Sequence, residues 1–316
     1  MNSKIADSKL TELKLKKLNL TKLKLVLLPL LLLSSICHAQ LSESADWAAR
    51  AAADYLIYPD RVYGVANTSQ LKLDVWQKQN TKEPAPTLIY IHGGGWIFGD
   101  RTGATLQFLP YIQMGWNVVN VEYRMASASP APAAVEDCRC ALRWVVQHAS
   151  EYNIDTNRIV LTGHSAGGHL SLITGLLTPD AGLDNQCFGP ETPKVAAIIN
   201  WYGISDVADL LAGPDLRNYA VMWLGSQPDR VAIAKRVSPL AYIHAGNARV
   251  FTVHGDADPV VPYSQAVRLH QALTQAGVKN QLLTIHGGGH GGFTPEQYQD
   301  AFVKINAFLK AQGVIH

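Results

Sequence analysis

Residues 161–169 read LTGHSAGGH, a stretch that places Ser165 in the pattern Gly-x-Ser-x-Gly. A short apolar run precedes this pattern, and a segment rich in apolar residues with helical spacing follows it. In such a strand–turn–helix context the glycines permit a sharp turn that lifts a serine hydroxyl above the end of a sheet. The first N–H groups of the following helix favour negative charge that develops beside that hydroxyl. We therefore predict that Ser165 is a nucleophile.

Short apolar runs alternate with helical stretches on both sides of this turn. A first pair, residues 62–66 and 71–77, has the alternation of an antiparallel hairpin. The other predicted strands are residues 88–91, 118–121, 159–162, 195–199, 250–253 and 282–285. The predicted helices are residues 103–114, 134–152, 167–177, 264–276 and 295–312. This order predicts an α/β fold with about eight mostly parallel strands and helices on both faces of the sheet.

One segment departs from the alternation. Residues 202–248 contain no clear strand and include Gly213 followed by Pro214. We predict a small lid-like cap insertion here, because material inserted after the C-terminal end of a strand lies where ligands bind in open α/β sheets.

The N-terminal residues differ in charge from the rest of the chain. Residues 1–39 hold 7 of the 27 basic and 2 of the 25 acidic side chains, so the remaining residues are slightly acidic. A lysine-rich region, an apolar run at residues 25–33 and an exit ending in Ala39 are typical of a secretory signal peptide. The apolar run is about half of the ~20 residues that a membrane span needs. We predict cleavage after Ala39 and a secreted or periplasmic catalytic domain of residues 40–316 without a membrane span. An amphipathic segment on the membrane surface is the alternative for the leader.

Composition and cysteine content exclude several classes of protein. With 47% hydrophobic and 16% charged residues, the chain is not a disordered protein, a collagen-like protein or a coiled coil. No basic surface interleaved with aromatic residues is evident, so nucleic acid is not an expected partner. Removal of the leader leaves Cys138, Cys140 and Cys187, an odd number. We expect buried free thiols, while a bridge from Cys138 or Cys140 to Cys187 stays open.

A second glycine-rich motif makes the resemblance to a known family specific. Residues 92–96, HGGGW, follow the predicted strand 88–91 directly, and glycines let backbone N–H groups approach a developing oxyanion. Together with residues 163–168, this motif resembles the α/β-hydrolase fold, in the esterase branch related to hormone-sensitive lipase, bacterial carboxylesterases and feruloyl-esterase-like enzymes. The resemblance implies a structural role for His92. It also implies an oxyanion hole formed by the N–H groups of Gly94, Gly95 and Ala166.

In such enzymes the acid and the base follow the nucleophile along the chain. Residues 254–262, HGDADPVVP, resemble the recurring His-Gly-x-x-Asp-x-x-Val-Pro pattern, which assigns the acid to Asp258 and leaves Asp256 as a turn residue. Only His286 and His290 follow the acid in a loop after the final predicted strand. We expect His286 to be a packed polar residue and His290 to be the base. The predicted triad is Ser165, Asp258 and His290.

Other residues could be taken for members of the site. Asp206 is an alternative acid, although its position agrees less well with the family. Arg124 and Asp137 are expected to form a structural ion pair. Four aromatic residues are expected near the pocket or in the packing of the cap: Trp96, Trp201, Tyr202 and Trp223.

The resemblance implies a serine carboxyl-ester hydrolase that acts through an acyl-enzyme on short-chain or aromatic acyl esters. Such an enzyme binds a small-molecule ester and needs no cofactor and no metal. A prolyl-oligopeptidase-like serine peptidase and an arylformamidase-like amide hydrolase are the alternatives among enzymes. The three glycines at residues 93–95 favour the esterase over the peptidase. A catalytically silent binding protein on the same fold is the alternative of another class, and the complete predicted triad argues against it. The sequence makes no prediction about oligomeric state.

Overall fold

The computed structural model describes residues 42–189 and 194–315. The predicted signal peptide and its cleavage site lie outside the described residues. The chain divides between Ala52 and Ala53 into two units. The described part of the first unit, residues 42–52, lies almost entirely in helix α1 (Glu43–Asp54). No helix in the described part of the chain is long and apolar enough to cross a membrane.

An eight-stranded sheet forms the centre of the second unit. Its strands are β1 (Tyr55–Ala66), β2 (Ser69–Lys78), β3 (Ala85–Ile91), β4 (Asn117–Val121), β5 (Ile154–His164), β6 (Ala197–Trp201), β7 (Arg249–Gly255) and β8 (Asn280–Ile285). They lie in the order β1-β2-β4-β3-β5-β6-β7-β8. β1 and β2 form the predicted antiparallel hairpin, β2 pairs antiparallel with β4, and all other pairs are parallel. The predicted α/β class and strand number are therefore confirmed.

The helices after α1 connect the strands. They are α2 (Leu109–Gln113), α3 (Ala133–Gln147), α4 (Ala166–Leu176), α5 (Asn218–Leu224), α6 (Arg230–Arg236), α7 (Ser264–Gln275) and α8 (Pro295–Ala311). Successive side chains of each strand point to opposite faces of the sheet. In β7, Val250 joins the core that includes residues of α3 and α4, whereas the neighbouring Phe251 packs against Phe308 of α8. Helices therefore cover both faces, as predicted.

Two predicted helices have different bounds in the structure. Residues 103–114 do not form one helix, because a 3₁₀ helix at Thr102–Phe108 precedes the short α2. Pro110, which lacks an N–H group, lies at the start of α2, a position where proline is tolerated. The helix predicted at residues 134–152 already ends at Gln147. The predicted bounds of α4, α7 and α8 agree with the structure to within one residue.

The expectation that all three cysteines are free thiols is wrong. Cys140 and Cys187 form a disulfide, with Cα atoms 4.8 Å apart, and Cys138 is a buried free thiol. Residues two apart on a helix face in different directions, so only Cys140 of α3 meets the segment after α4 that carries Cys187.

The register of the parallel strands aligns their carboxyl ends at one edge of the sheet. Ile91 at the end of β3 pairs with Gly163 of β5, and Trp201 at the end of β6 pairs with Val253 of β7. The HGGGW loop, Ser165 and the loop that carries Asp258 all follow these strand ends. Three motifs that are far apart in sequence therefore meet at this edge, where ligands bind in open α/β sheets.

The segment between β6 and β7, where the sequence predicts a cap, consists of 3₁₀ turns and the short helices α5 and α6. Trp223 of α5 is fully buried and stacks on Trp96 of the HGGGW loop, with ring centroids 4.1 Å apart. Tyr219, also in α5, lies so close to Gly95 that a Cβ on this glycine would be 3.0 Å from the tyrosine Cβ. The segment thus packs on the glycine loop, and its action as a lid stays a prediction.

Candidate active site

Ser165 lies in the sharp turn between β5 and α4. Its backbone has φ 57° and ψ −120°, a conformation that is costly for a residue other than glycine. The turn is held by hydrogen bonds from Ser165 N–H to Trp201 O, at 2.9 Å, and from His169 N–H to Ser165 O, at 3.0 Å. A Cβ on Gly167 would lie 2.0 Å from Ile91 O, so only glycine lets the start of α4 approach β3 this closely. The surrounding packing therefore maintains the strained backbone of Ser165.

The structure brings the three predicted triad residues together in one chain of hydrogen bonds. His290 Nε2 lies 2.8 Å from Ser165 Oγ, although the two residues are 125 positions apart in sequence. His290 Nδ1 lies 2.7 Å from Asp258 Oδ2. Since a carboxylate only accepts, Nδ1–H donates to Asp258 and the serine hydroxyl donates to Nε2. The histidine is therefore oriented to take a proton from the serine.

Asp258 is a buried carboxylate that accepts three hydrogen bonds and has a second histidine close to it. Its Oδ1 accepts from Val260 N–H at 2.8 Å and Val261 N–H at 2.9 Å. Its Oδ2 faces His254 Nε2 at 3.2 Å as well as His290. Burial alone would raise the pKa of Asp258, but the hydrogen bonds from the two histidines outweigh it and lower the pKa well below its usual range. The carboxyl is therefore ionised at neutral pH.

The prediction that His286 is a packed residue is wrong. Its side chain is 88% exposed, and its Nδ1 lies 2.9 Å from Asp256 Oδ2. Asp256 also accepts from Gly287 N–H at 2.7 Å, so its side chain contacts the loop after β8 instead of making the local turn hydrogen bonds that the sequence predicts. Although His286 and His290 are four residues apart, each therefore meets a different carboxylate.

The HGGGW loop lies directly beside Ser165. A Cβ on Gly93 would be 3.7 Å from Ser165 Cβ. Gly94 and Gly95 have φ angles of 119° and 58°, which turn the loop back on itself. The hydrogen bonds within the described residues include none that is donated by the N–H groups at positions 94 and 95 or by Ala166, the first residue of α4. Three N–H groups beside the nucleophile are therefore able to donate to an oxyanion.

His92 and the Arg124–Asp137 pair are structural. The His92 ring stacks on Tyr123 with centroids 4.3 Å apart, and Tyr123 O–H donates to His92 O at 3.1 Å. Arg124 Nε donates to Asp137 Oδ2 at 2.8 Å, which confirms the predicted ion pair. Asp206, the alternative acid, instead has its Oδ2 atom 3.5 Å from Nη1 of Arg268.

An open cavity of about 580 Å³ lies above the nucleophile. Its wall includes Ser165, His290 and the residues Phe98, Gln107, His164, Tyr202, Tyr219 and Val260. Of the four aromatic residues expected here, only Tyr202 lines this cavity. A second cavity of about 670 Å³ is lined by both apolar and polar side chains, with Trp201 and Phe302 among the apolar ones. It shares Gln107 and His164 with the first cavity.

His164 forms a shared wall between the two cavities, and the sequence reasoning did not single it out. Its Nδ1 lies 2.9 Å from Tyr90 Oη, and Tyr90 O–H donates to Gln107 Oε1. Its ring stacks on Trp201 with centroids 5.1 Å apart. Burial, with a smaller effect from the charge of His290, lowers the pKa of His164 to about 3, so it is neutral at neutral pH. In the sequence, only the position of His164 directly before Ser165 indicates that it lies at the site.

Strand order and the turn that carries Ser165 identify the fold as that of the α/β-hydrolases. A family model described as BD-FAE matches residues 73–273, and the chain belongs to this family.

Curated relatives of the chain include mycobacterial esterases. Esterase LipQ of Mycobacterium tuberculosis is 30% identical over 226 residues, which cover 69% of this chain and 53% of LipQ. Carboxylesterase NlhH of the same species is 33% identical over 152 residues, which cover 48% of this chain and 44% of NlhH. The chain spans about half the length of the curated relatives it matches.

Solved esterase structures are similar over most of the chain. A truncated form of a carbohydrate esterase from gut microbiota has a TM-score of 0.70 and 25% identity, and the match covers 82% of this chain and 97% of that one. The thermophilic esterase Est2 of Thermogutta terrifontis has a TM-score of 0.67 and 25% identity, and the match covers 81% and 92%.

Proposed function

We propose that this protein is a serine carboxyl-ester hydrolase that acts through an acyl-enzyme. The observation that carries the proposal is the hydrogen-bond chain from Ser165 through His290 to Asp258, beside three N–H groups able to donate to an oxyanion. The names of the mycobacterial relatives, an esterase and a carboxylesterase, support it.

Acylation follows from this arrangement. Ser165 Oγ attacks the carbonyl carbon of the ester while its proton passes to His290 Nε2. The carbonyl oxygen becomes an oxyanion, which accepts hydrogen bonds from the N–H groups of the glycine loop and of Ala166. The buried carboxylate of Asp258 stabilises the imidazolium that forms. When the C–O bond breaks, the imidazolium gives its proton to the leaving alcohol.

Deacylation repeats the chemistry with water as the nucleophile. Water gives a proton to His290 Nε2 and adds to the acyl carbon, which forms a second oxyanion at the same N–H groups. Collapse of this intermediate breaks the bond to Ser165 Oγ, which recovers its proton from His290. The products are the carboxylic acid, the alcohol and the free enzyme.

We propose short-chain or aromatic acyl esters as substrates. The volume of about 580 Å³ above the nucleophile lies within the range of sites for small molecules. Apolar side chains of Phe98 and Val260 line it, and the second cavity beside His164 offers aromatic walls to a larger group. These features support a small or planar acyl group.

The test is hydrolysis of p-nitrophenyl esters with acyl chains from two to twelve carbons. Methyl ferulate and an aminoacyl-proline anilide are measured alongside, and Ser165→Ala is the control. We expect turnover to peak at short acyl chains, to include methyl ferulate and to vanish in the variant. Anilide cleavage without ester turnover would identify a peptidase instead, and a folded protein without either activity would identify a silent binding protein.

We further propose that residues 1–39 direct export to the periplasm or the medium. The disulfide between Cys140 and Cys187 supports this proposal, because disulfides persist in oxidising compartments. N-terminal sequencing of the protein recovered from the periplasm and the medium tests it. A mature N-terminus at Gln40 is expected, and retention of the uncleaved chain in the cytoplasm would refute export.

A further inference from the structure

Two histidines, not one, lie against the acid of the proposed triad. His254 Nε2 lies 3.2 Å from Asp258 Oδ2, the same oxygen that accepts from His290 at 2.7 Å. His254 lies near the end of β7, and its side chain is fully buried. The reaction steps described above use only His290, so the second histidine on this oxygen has no assigned role.

The surroundings of His254 determine which ring nitrogen carries the proton. Nε2 lies 3.1 Å from Val261 O in addition to Asp258 Oδ2, and both of these atoms are acceptors. Nδ1 is buried and has no hydrogen-bond partner within the described residues. A proton on Nδ1 would therefore lack an acceptor, whereas a proton on Nε2 has two. We therefore place the proton of the His254 ring on Nε2.

We propose that His254 is a positioning residue that acts through Asp258 and sets the pH range in which His290 can serve as the base. The proposal rests on the proposed function. Two backbone N–H groups fix Oδ1 of Asp258, and the Nε2–H group of His254 fixes Oδ2. The carboxylate is thereby prevented from rotating out of line with His290.

The hydrogen bond from His254 also changes the electrostatics of the triad. A second donor on Oδ2 withdraws negative charge from the oxygen that stabilises the His290 imidazolium. Without that donor, Asp258 stabilises the His290 imidazolium more strongly, so His290 becomes protonated at a higher pH. Since only neutral His290 accepts the serine proton, loss of His254 moves the acid limb of the pH profile to higher pH.

Other polar groups around the acid and the base do not provide this effect. Among the described residues, Tyr202, Tyr219 and His164 lie near the pair. Tyr263 lies edge-on to the ring of His254, and Arg217 lies beside Val260. Burial raises the pKa of Tyr202 and Tyr219 and lowers that of His164. These three side chains are therefore neutral between about pH 5 and 9. The guanidinium of Arg217 donates to Val260 O and carries a constant charge in this range.

The experiment compares wild type, His254→Leu and His254→Gln in the full chain. The measured quantity is kcat/KM for p-nitrophenyl acetate between about pH 5 and 9, with thermal unfolding to verify folding. We expect the acid limb of His254→Leu to move up by about 0.5 to 1 pH unit, because it lacks the donor to the carboxylate. The glutamine side chain can donate its amide N–H to Oδ2, so His254→Gln should keep the wild-type limb.

Each outcome separates this role from mere packing. An unshifted acid limb in a folded His254→Leu variant overturns the proposal, as does an equal shift in both variants. Should neither variant fold, ¹⁵N NMR of wild type decides, because a proton on His254 Nδ1 contradicts the proposed tautomer and one on Nε2 supports it. The effect of His254 on His290 can also be measured without substrate, by following the protonation of His290 by NMR in wild type and His254→Leu. A protein without ester turnover would therefore refute the proposed function without obscuring the effect of His254.

Discussion

The glycine loop offers the sharpest test of the proposed oxyanion hole. A Cβ at Gly94 would lie 1.8 Å from Phe98 O and 2.7 Å from Phe98 C, and the φ angle of 119° is itself unfavourable for alanine. Relief of this clash needs a backbone displacement of about 1 Å or more, and displacements of that size at a reacting centre cost ~10²-fold in rate. Gly94→Ala should therefore move the loop N–H groups away from the developing oxyanion.

The magnitude follows from the loss of a donor that acts mainly in the transition state. We expect kcat of Gly94→Ala to fall by about 10² to 10³, equivalent to about 2.7 to 4 kcal/mol, with KM changed only a few-fold. Initial rates with p-nitrophenyl acetate give both constants, and circular dichroism and thermal unfolding verify that the variant is folded.

Gly103→Ala is the matched control. Gly103 lines the same cavity, but a Cβ there would meet its nearest atom, Asp100 Oδ1, at an ordinary 3.7 Å. We expect its kcat to stay within about twofold of wild type. A folded Gly94→Ala variant with more than a tenth of the wild-type kcat would refute the assignment of this loop to the oxyanion hole. An equal loss in the control would attribute the effect to crowding of the cavity.

Two further predictions concern the stability of the fold, and a third concerns the role of His286. Replacement of both Cys140 and Cys187 by serine should lower the free energy of unfolding by about 4 kcal/mol, because the disulfide closes a loop with a sequence separation of 47. Urea denaturation measures this, and an unchanged midpoint would contradict it. Asp137→Asn should cost about 3 kcal/mol, since it leaves the guanidinium of Arg124 without its buried carboxylate, and the same assay decides. His286→Ala should leave kcat/KM within about twofold of wild type because the side chain is exposed, and a larger loss would place it in the site.

Features encoded in local sequence were predicted correctly. The strand–turn–helix context of Ser165 needs only residues 161–169, because glycine and the apolar pattern act within a few positions. The alternation of strands and helices likewise predicted eight strands and coverage of both faces. The predicted bounds of helices were wrong where local helix propensity did not determine the structure. The run at residues 103–114 reads as one helix, but the structure divides it into a 3₁₀ helix and α2, which begins around Pro110.

Contacts between residues that are distant in the chain could be predicted from the sequence only where a motif implied them. The resemblance assigned Asp258, and the loop context selected His290, but neither argument gives the 2.7 Å contact between them. Nothing in the spacing indicates that Cys140 rather than Cys138 meets Cys187, because the choice depends on how α3 is rotated against its neighbours.

The sequence by itself determined the class of fold and the turn that carries Ser165, because strand and helix periodicity, glycine conformations and turn residues act over short stretches of chain. The candidate acid and oxyanion donors came from the resemblance to a family, and the candidate base from its position in a loop after the acid. Only the tertiary structure decided which histidines meet which carboxylates: His286 lies exposed against Asp256, while His254 and His290 share one oxygen of Asp258. Those pairings depend on the register of β7 against its neighbours and on the course of two loops. Both result from the packing of the whole sheet rather than from any local pattern.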